Sequence, residues 1–468
     1  MDERKTTSTG LKHAVLSPNE TLAQSIALIA PTAAPLLTVP LVFASAGSGS
    51  WLAFLISTVT VVLVAFNVNQ FARMSASPGS LYTYIAAHMH PMLGVAAGWS
   101  LLIAYIGTAM AICSGLTNYV NVILKDLTGL QVFPVLISAA CIGVAALLAY
   151  CDVKISARLM LGLEAVSVTL ISFVAISLLV RHGFHPDMSQ LRLHGVTPEK
   201  LRMGLVLAIF CLVGFESATS LGSEASRPLE SIPRAVTWSA ILTGAFFVFC
   251  AYTEVLGFQG EAVPLDRNLA PLHFLARKAG LPSFVGVAID LGGIVSFFSC
   301  VLACITAAAR ILFLMGRHGA VHSRLGEAHE SWQTPHVAVL LTALAAFLPM
   351  AFLTLFGIAP FDVYGLAGSL ATFGFLTAYI LISIAAPIYL RSLGRLTIQA
   401  TIVSVLAILA MGIALQGSLY PVPATPYSLL PYIYAALLAS GFLWSILLNA
   451  RSPLTSDRIH DDSNALAD

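Results

Sequence analysis

The chain has 468 residues, of which 58% are hydrophobic and 10% are charged, with a mean hydropathy of +0.88 and a formal net charge of +1. A soluble domain carries about 25% charged residues, so this composition excludes a cytoplasmic enzyme, a nucleic-acid-binding protein and a disordered protein. The near-neutral net charge gives no information about binding partners. We therefore predict an all-α, polytopic membrane protein with about 12 transmembrane helices, each about 20 residues long.

Long apolar runs, taken in chain order, predict the membrane-spanning helices. They are about twice as long as the strands of an outer-membrane barrel and do not alternate between apolar and polar residues. The polar segment 1–20 has no apolar stretch directly behind its basic residues, so we expect no cleavable signal peptide. The predicted spans are 21–45, 49–72, 92–123, 131–150, 159–180, 201–223, 235–258, 283–314, 337–357, 364–390, 397–416 and 430–449.

The distribution of positive charge predicts the orientation in the membrane. With an even number of spans, 15 of the 23 Lys and Arg residues lie on the side of the two termini, which leaves 8 on the other side. Cytoplasmic loops carry the excess of Lys and Arg. We therefore expect both termini in the cytoplasm and the protein in the plasma (inner) membrane.

The sequence offers no basis for catalysis or for a cofactor. All 12 histidines fall in predicted loops or tails, whereas haem and metal sites of helical bundles use histidines inside the bundle. No GxSxG, Walker A or GxGxxG motif stands in a polar segment. The 7 cysteines lie in or beside apolar runs without CxxC spacing, which is typical of buried apolar residues. We expect no enzyme activity, no cofactor and no metal.

Two predicted spans carry helix-breaking residues at membrane depth. Span 1 contains Pro31, Pro35 and Pro40, and proline removes a backbone donor and clashes with the preceding turn. Span 6 contains Gly214 followed closely by Glu216. Breaks at corresponding positions of two halves indicate a transporter site, although isolated kinks are common in membrane helices. Because the broken spans are five apart, the repeat has five helices, and an odd number inverts the second copy.

Five segments of the chain carry motif-like residues in a fixed order. They are Pro78-Gly79-Ser80-Leu81-Tyr82-Thr83-Tyr84, Gly214-Phe215-Glu216 with the segment 223–235, Ala309 to Gly319, Thr334-Pro335, and Ile384 to Arg391. In this order they resemble motifs of the amino acid–polyamine–organocation (APC) family of permeases, and the resemblance covers about residues 20–395. Two departures are His318, where the family usually has Asp, and Pro31-Thr32-Ala33-Ala34-Pro35, where many relatives have a glycine-rich G-x-G.

The resemblance implies a leucine-transporter-like fold, which is a 5+5 inverted repeat with discontinuous helices 1 and 6. It also implies a secondary active transporter that moves amino acids or related amines by alternating access. A polyamine or amine exchanger remains an alternative, and so does a transporter-like receptor or channel. The expected organisation is a cytoplasmic tail 1–20, a core 21–395 with repeats 21–180 and 201–390, two peripheral helices in 396–450, and a cytoplasmic tail 451–468.

The two breaks predict the substrate site. A half-helix that starts at mid-membrane points free N–H groups at the cavity, so the donors near Thr32 would hold a carboxylate. The opposing carbonyls near Phe210 would hold an ammonium group. Phe210 and Phe215 could gate the cavity, with Tyr105 and Phe297 as weaker candidates. The predicted substrate-binding residues are Thr32, Ala33, Ala34, Phe210, Gly214, Phe215 and Glu216.

Several polar residues could bind a coupling ion, and the sequence does not decide which ion it is. The resemblance implies a gating role for Glu216, while the residue itself could equally cap the second half of span 6. Ser296 and Ser299 lie where the resemblance to sodium-coupled members of the fold implies sodium ligands, although such hydroxyls often bond their own helix. Protons through Glu216 or Glu164, sodium, and exchange without an ion are all compatible with the sequence. After span 6, we expect a salt-bridged elbow formed by Glu224, Arg227, Glu230 and Arg234.

Overall fold

The computed structural model describes residues 14–151, 154–268, 270–420 and 422–449, so most of the two predicted tails lies outside the described residues. Across these ranges the chain is helical, with loops and one isolated β-bridge between Leu16 and Ala225. The α-helices are α1 Pro18–Ile29, α2 Val39–Ala46, α3 Ser50–Ala72, α4 Ser80–His88, α5 Pro91–Thr128, α6 Pro134–Cys151, α7 Lys154–Arg181, α8 Met188–Leu191, α9 Pro198–Phe210, α10 Pro228–Gly257, α11 Pro271–Lys278, α12 Ser283–Arg317, α13 His336–Leu355, α14 Pro360–Ser392, α15 Ile398–Leu419 and α16 Leu430–Asn449.

Within the described residues, 11 helical runs are long and apolar enough to cross a membrane. The first run, Pro18–Ala72, is 55 residues long and contains the first two predicted spans. Each of the other runs corresponds to one predicted span. The protein is therefore a multi-pass membrane protein, and the positions of the predicted spans agree with the helices.

Local sequence signals explain where the helices begin. Ser17 and Glu20 form a capping box at the start of α1, which satisfies backbone donors that have no partner within the helix. Thr197 caps α9 through the N–H of Lys200. Several helices have proline in the first turn, where its missing N–H costs nothing.

The helices differ in how deeply they lie in the bundle. The most apolar 18-residue window is 94% buried in both Pro198–Leu221 and Ser283–Arg317, but only 22% buried in Ile398–Leu419. The long helix α5 packs against both α12 and α14 at the centre. The two broken helices pack beside this centre, so their polar interruptions are shielded from lipid.

Short helices outside the predicted spans include α4 and α11. Helix α4 follows the loop at Pro78-Gly79 and packs against α5 and α14. Helix α11 lies between α10 and α12 and packs on both. At 9 and 8 residues, neither is long enough to cross a bilayer.

Candidate functional site

The first break lies where the prolines of span 1 predicted it. Helix α1 ends at Ile29, and Ala30 adopts a left-handed conformation with φ 50°. The N–H of Ala33 donates to the carbonyl of Ala30 at 2.8 Å. A π-helical turn, Ala34–Thr38, then leads into α2. Pro31 and Pro35 lack the donors that a continuous α-helix would need here.

The second break lies at the end of α9. The N–H groups of Leu212 and Val213 both fold back to the carbonyl of Ile209, at 2.9 and 3.1 Å. Gly214 follows with φ 91°, and a 3₁₀ helix, Phe215–Leu221, continues the chain. A β-carbon at Gly214 would lie 1.8 Å from Cδ2 of Leu28. Glycine is therefore required both by the backbone conformation and by the close approach of α1.

A small buried cavity lies between the two breaks. The space open to the centre of a water molecule is about 10 Å³, which is room for about one water. All lining residues are buried, so the cavity is closed to solvent in this structure. The lining residues are Leu28, Ile29, Ala33, Ala34, Thr108, Ile112, Phe210, Cys211, Val213 and Tyr364.

A buried carboxylate from α7 contacts the first break. The N–H and the hydroxyl of Thr32 both donate to Oε1 of Glu164, at 3.0 and 2.8 Å. Both residues are buried. Moving a carboxylate out of water costs much free energy unless it accepts hydrogen bonds. Hydrogen bonds to a charged group, such as these two, are stronger than those between neutral groups. Glu164 therefore ties the break in span 1 to α7.

A second buried carboxylate lies just after the second break. The Tyr105 hydroxyl donates to Oε1 of Glu216 at 2.6 Å, and the Tyr379 hydroxyl donates to Oε2 at 2.5 Å. Tyr379 also accepts the N–H of Gly214 at 3.2 Å. These bonds join the break to α5 and α14. Both oxygens of Glu216 are thus occupied by phenol donors.

Polar contacts close the space between α1 and the 3₁₀ helix. The hydroxyl of Ser25 donates to the carbonyl of Phe215 at 2.7 Å and accepts the N–H of Ala218 at 3.2 Å. The hydroxyl of Ser217 donates to the carbonyl of Gln24 at 3.3 Å. The two half-helices are therefore held together on this side of the cavity.

A buried ion pair lies beyond these contacts, near the expected elbow. Nε and Nη2 of Arg310 donate to Oε2 and Oε1 of Glu224, at 3.0 and 2.6 Å. The partner of Glu224 is thus an arginine of α12, whereas the sequence had suggested an arginine of the elbow itself. The segment before α1 covers the pair, since the N–H of Leu16 donates to the carbonyl of Glu224 at 2.8 Å.

The structure brings together some of the predicted substrate-binding residues but not all. Ala33, Ala34 and Phe210 line the cavity. Thr32 is directed to Glu164, and the N–H of Ala33 is paired within the turn, so two predicted carboxylate donors are occupied in this closed structure. The others lie beside the cavity without lining it: Gly214 against Leu28, Phe215 against the Tyr379 ring at 5.3 Å, and Glu216 between its two tyrosines.

The two predicted ion-binding serines differ in their contacts. The hydroxyl of Ser299 donates to the carbonyl of Val295 in its own helix at 2.9 Å. The hydroxyl of Ser296 is buried and lies near the carboxylate of Glu164. Ser296 therefore faces the polar contact at the first break, whereas Ser299 bonds within its own helix.

The sequence did not single out the contributions of α5 and α14 to the cavity. Thr108 and Ile112 are four residues apart on α5 and present one face to it, and Tyr364 comes from α14. The hydroxyl of Tyr364 lies 2.5 Å from Oγ1 of Thr38. Buried tyrosine hydroxyls usually need a partner, so tyrosines within an apolar span were a usable signal for Tyr364 and Tyr379.

Comparison with known proteins shows which proteins this chain resembles in sequence. The branched-chain amino acid permease BcaP of Bacillus subtilis (strain 168) is 24% identical over 73% of this chain and 73% of that protein. The low-affinity putrescine importer PlaP of Escherichia coli (strain K12) is 23% identical over 71% of this chain and 72% of its own. The methylthioribose transporter of Bacillus subtilis (strain 168) is 23% identical over 79% of this chain and 80% of its own.

A solved structure supports the same fold. A mutant of the Eremococcus coleocola manganese transporter matches with a TM-score of 0.59 at 12% identity, over 96% of this chain and 97% of that one. The family model for amino acid permeases matches residues 21–442. This multi-pass membrane transporter therefore belongs to the amino acid permease family.

Proposed function

We propose that the protein carries amino acids across the cytoplasmic membrane by alternating access, with the substrate held between the two helix breaks. One observation carries the proposal: both breaks border a single closed cavity in the bundle centre. Interrupted membrane helices are tolerated only where they line protein or a cavity. Their half-helix ends can hold a carboxylate and an ammonium group.

The proposed architecture is two inverted five-helix repeats, with both termini in the cytoplasm. Its support is that the broken spans are five apart in the sequence and that a solved transporter structure has a similar fold. In this orientation the contacts of α1 with the 3₁₀ helix and the Arg310–Glu224 pair close the cytoplasmic side. Substrate release to the cytoplasm would require these contacts to separate.

Uptake by the purified protein in proteoliposomes tests the proposal. We expect saturable uptake of at least one radiolabelled amino acid from a panel that also contains putrescine and methylthioribose. Thr32→Phe and Gly214→Leu should abolish it without loss of protein from the membrane. Gly412→Ala is the matched control, because an added β-carbon there meets nothing within 4 Å.

Each alternative has its own outcome in that assay. Normal uptake by both Thr32→Phe and Gly214→Leu would contradict the site. Uptake of putrescine without any amino acid would favour an amine exchanger. A flux that does not saturate with substrate would favour a channel.

We also propose that protons are the coupling ions and that Glu164 carries them. Its carboxylate is buried, and one of its oxygens accepts two hydrogen bonds from the first break. A proton on this carboxylate weakens its capacity as an acceptor, so protonation would loosen the first break from α7. Glu216 is less suited to this role, because both of its oxygens already accept phenol protons.

The coupling proposal is tested by separating accumulation from exchange. Glu164→Gln should lose accumulation driven by an imposed pH gradient and retain exchange of internal for external substrate. Glu254→Gln is the control, since Glu254 is also buried but accepts no hydrogen bond from the described residues. Accumulation driven by a sodium gradient, and abolished by Ser296→Ala, would overturn the proton proposal.

A further inference from the structure

The lining of the central cavity has no charged side chain. It consists of six aliphatic side chains, one phenylalanine ring, one threonine, one cysteine and one tyrosine. The threonine hydroxyl already donates to its own helix, from Thr108 to the carbonyl of Ala104 at 2.9 Å. The lining therefore offers apolar surface, and few polar groups, to the part of a substrate that lies between the helix ends.

Both nearby carboxylates are occupied by other contacts. Glu216 accepts one phenol proton on each oxygen, and Glu164 accepts two bonds from Thr32. Neither residue lines the cavity. A second ammonium group, as in a diamine or a basic amino acid, would be buried here without a carboxylate partner. Burying an unpaired charge is strongly unfavourable, so the cavity disfavours such substrates.

The ring of Phe210 packs closely against Gly368 of α14. Phe210 lines the cavity and lies edge-on to Tyr364, with 6.0 Å between ring centroids. A β-carbon at Gly368 would lie 2.8 Å from Cε1 and 3.0 Å from Cζ of Phe210. The absence of a side chain on α14 at this point is what lets the ring sit back from the cavity.

We infer that the cavity selects amino acids with short, uncharged, apolar side chains, and that the Gly368–Phe210 contact limits side-chain size. The inference rests on the proposed function and specifies the substrate of the same site. The helix ends would bind the amino and carboxyl groups common to all amino acids. The lining residues would contact only the substrate's side chain and would therefore discriminate by its size and charge.

A binding panel on the purified full-length protein tests the charge selectivity. Alanine, valine and leucine should each bind at least about tenfold more tightly than lysine, glutamate or putrescine, since unpaired polar groups are rejected more strongly than a change of one methylene. Tighter binding of lysine or putrescine would overturn the inference and leave transport intact. If no amino acid in the panel, phenylalanine included, binds or is taken up, the proposed function itself fails.

Two variants with opposite expected effects test the size limit. Gly368→Ala should push the Phe210 ring into the cavity and lower leucine affinity about tenfold more than alanine affinity, which is the order of effect of one or two methylenes in a pocket. Phe210→Leu should do the reverse and improve binding of phenylalanine relative to alanine. Gly412→Ala, which has open space around it, should change neither ratio.

The ratios of leucine to alanine affinity and of phenylalanine to alanine affinity distinguish a change in side-chain selectivity from a general structural effect. If Gly368→Ala lowers leucine and alanine affinity equally, the contact does not set side-chain size. If Gly368→Ala does not fold, Phe210→Leu alone decides, because it removes bulk and creates no clash. An unchanged phenylalanine-to-alanine ratio in Phe210→Leu would overturn the size limit.

Discussion

The two helix breaks are held in different ways, although a buried carboxylate lies beside each. At the first break, Glu164 belongs to another helix and holds Thr32 through a single oxygen. At the second, Glu216 belongs to the broken segment itself and uses both oxygens, one for each of two tyrosines. Through these two carboxylates, the first break is attached to one helix and the second to two. We therefore expect the first break to rearrange more easily than the second.

The largest predicted effect comes from Gly214→Ala, which tests how rigid the second break is. The new β-carbon would lie 1.8 Å from Cδ2 of Leu28, on a residue with φ 91°. Strain in the backbone and overpacking together should cost about 2–4 kcal/mol of folding stability. Uptake should be lost. The measurements are thermal unfolding in detergent and radiolabelled uptake in proteoliposomes.

Gly129→Ala is the control for this substitution. Gly129 also has a positive φ, of 72°, at the end of α5, but an added β-carbon there meets nothing within 4 Å. Gly129→Ala should therefore lose only the stability that backbone strain accounts for, and it should retain uptake. Equal losses in the two variants would mean that the approach of Leu28 does not matter.

The next largest effect is expected from Glu216→Gln compared with Glu164→Gln. An amide opposite two phenol donors leaves one bond poorly satisfied, and a buried unsatisfied group costs about 1–3 kcal/mol. At Glu164 the remaining amide oxygen can still accept both bonds from Thr32, so the loss should be smaller. Denaturant or thermal unfolding of both variants measures the difference. A larger loss of folding stability in Glu164→Gln than in Glu216→Gln would mean that the first break is held more firmly than the second.

The sequence predicted the breaks but not what holds them. A proline or a glycine acts on its own backbone, so the interruptions at Pro31–Pro35 and at Gly214 could be located from local sequence. Long apolar runs located the spans for the same reason. The partner of Thr32, by contrast, is 132 residues away.

Long-range pairings of this kind depend on how the helices pack. The pattern of one span does not specify which residue of another it will face. The same limit applies to the elbow, where the sequence showed the charges but the partner of Glu224 came from α12. The local sequence pattern also could not predict that residues of α5 and α14 line the cavity.

The two tyrosines of the second break should differ from each other. Tyr379→Phe removes a bond to Glu216 and also the acceptor for the Gly214 N–H, whereas Tyr105→Phe removes one bond to Glu216. A bond to a charged group contributes about 1.5–3 kcal/mol, so Tyr379→Phe, which loses one such bond and the Gly214 contact, should cost more stability than Tyr105→Phe. Unfolding of the two variants checks this. Equal losses would show that the Gly214 contact contributes little.

The smallest effect is expected from Thr32→Val, which probes the first break directly. Valine has nearly the shape of threonine, so the substitution removes the hydroxyl bond to Glu164 and keeps the backbone N–H bond. The expected loss is about 1.5 kcal/mol, at the lower end of the range for a bond to a charged group, with uptake retained. Thr342→Val is the control, because that buried hydroxyl donates only within its own helix.

The comparison of the breaks depends on this last pair of variants. If Thr32→Val costs more stability than Tyr379→Phe, then the hydroxyl bond to α7 holds its break as firmly as the tyrosines hold theirs. The first break would then not be the easier one to rearrange. If Thr32→Val costs no more stability than Thr342→Val, the backbone N–H of Thr32 alone accounts for its attachment to Glu164. In that case a proton on Glu164 would have only one bond to weaken, and the first break would be the readily released one.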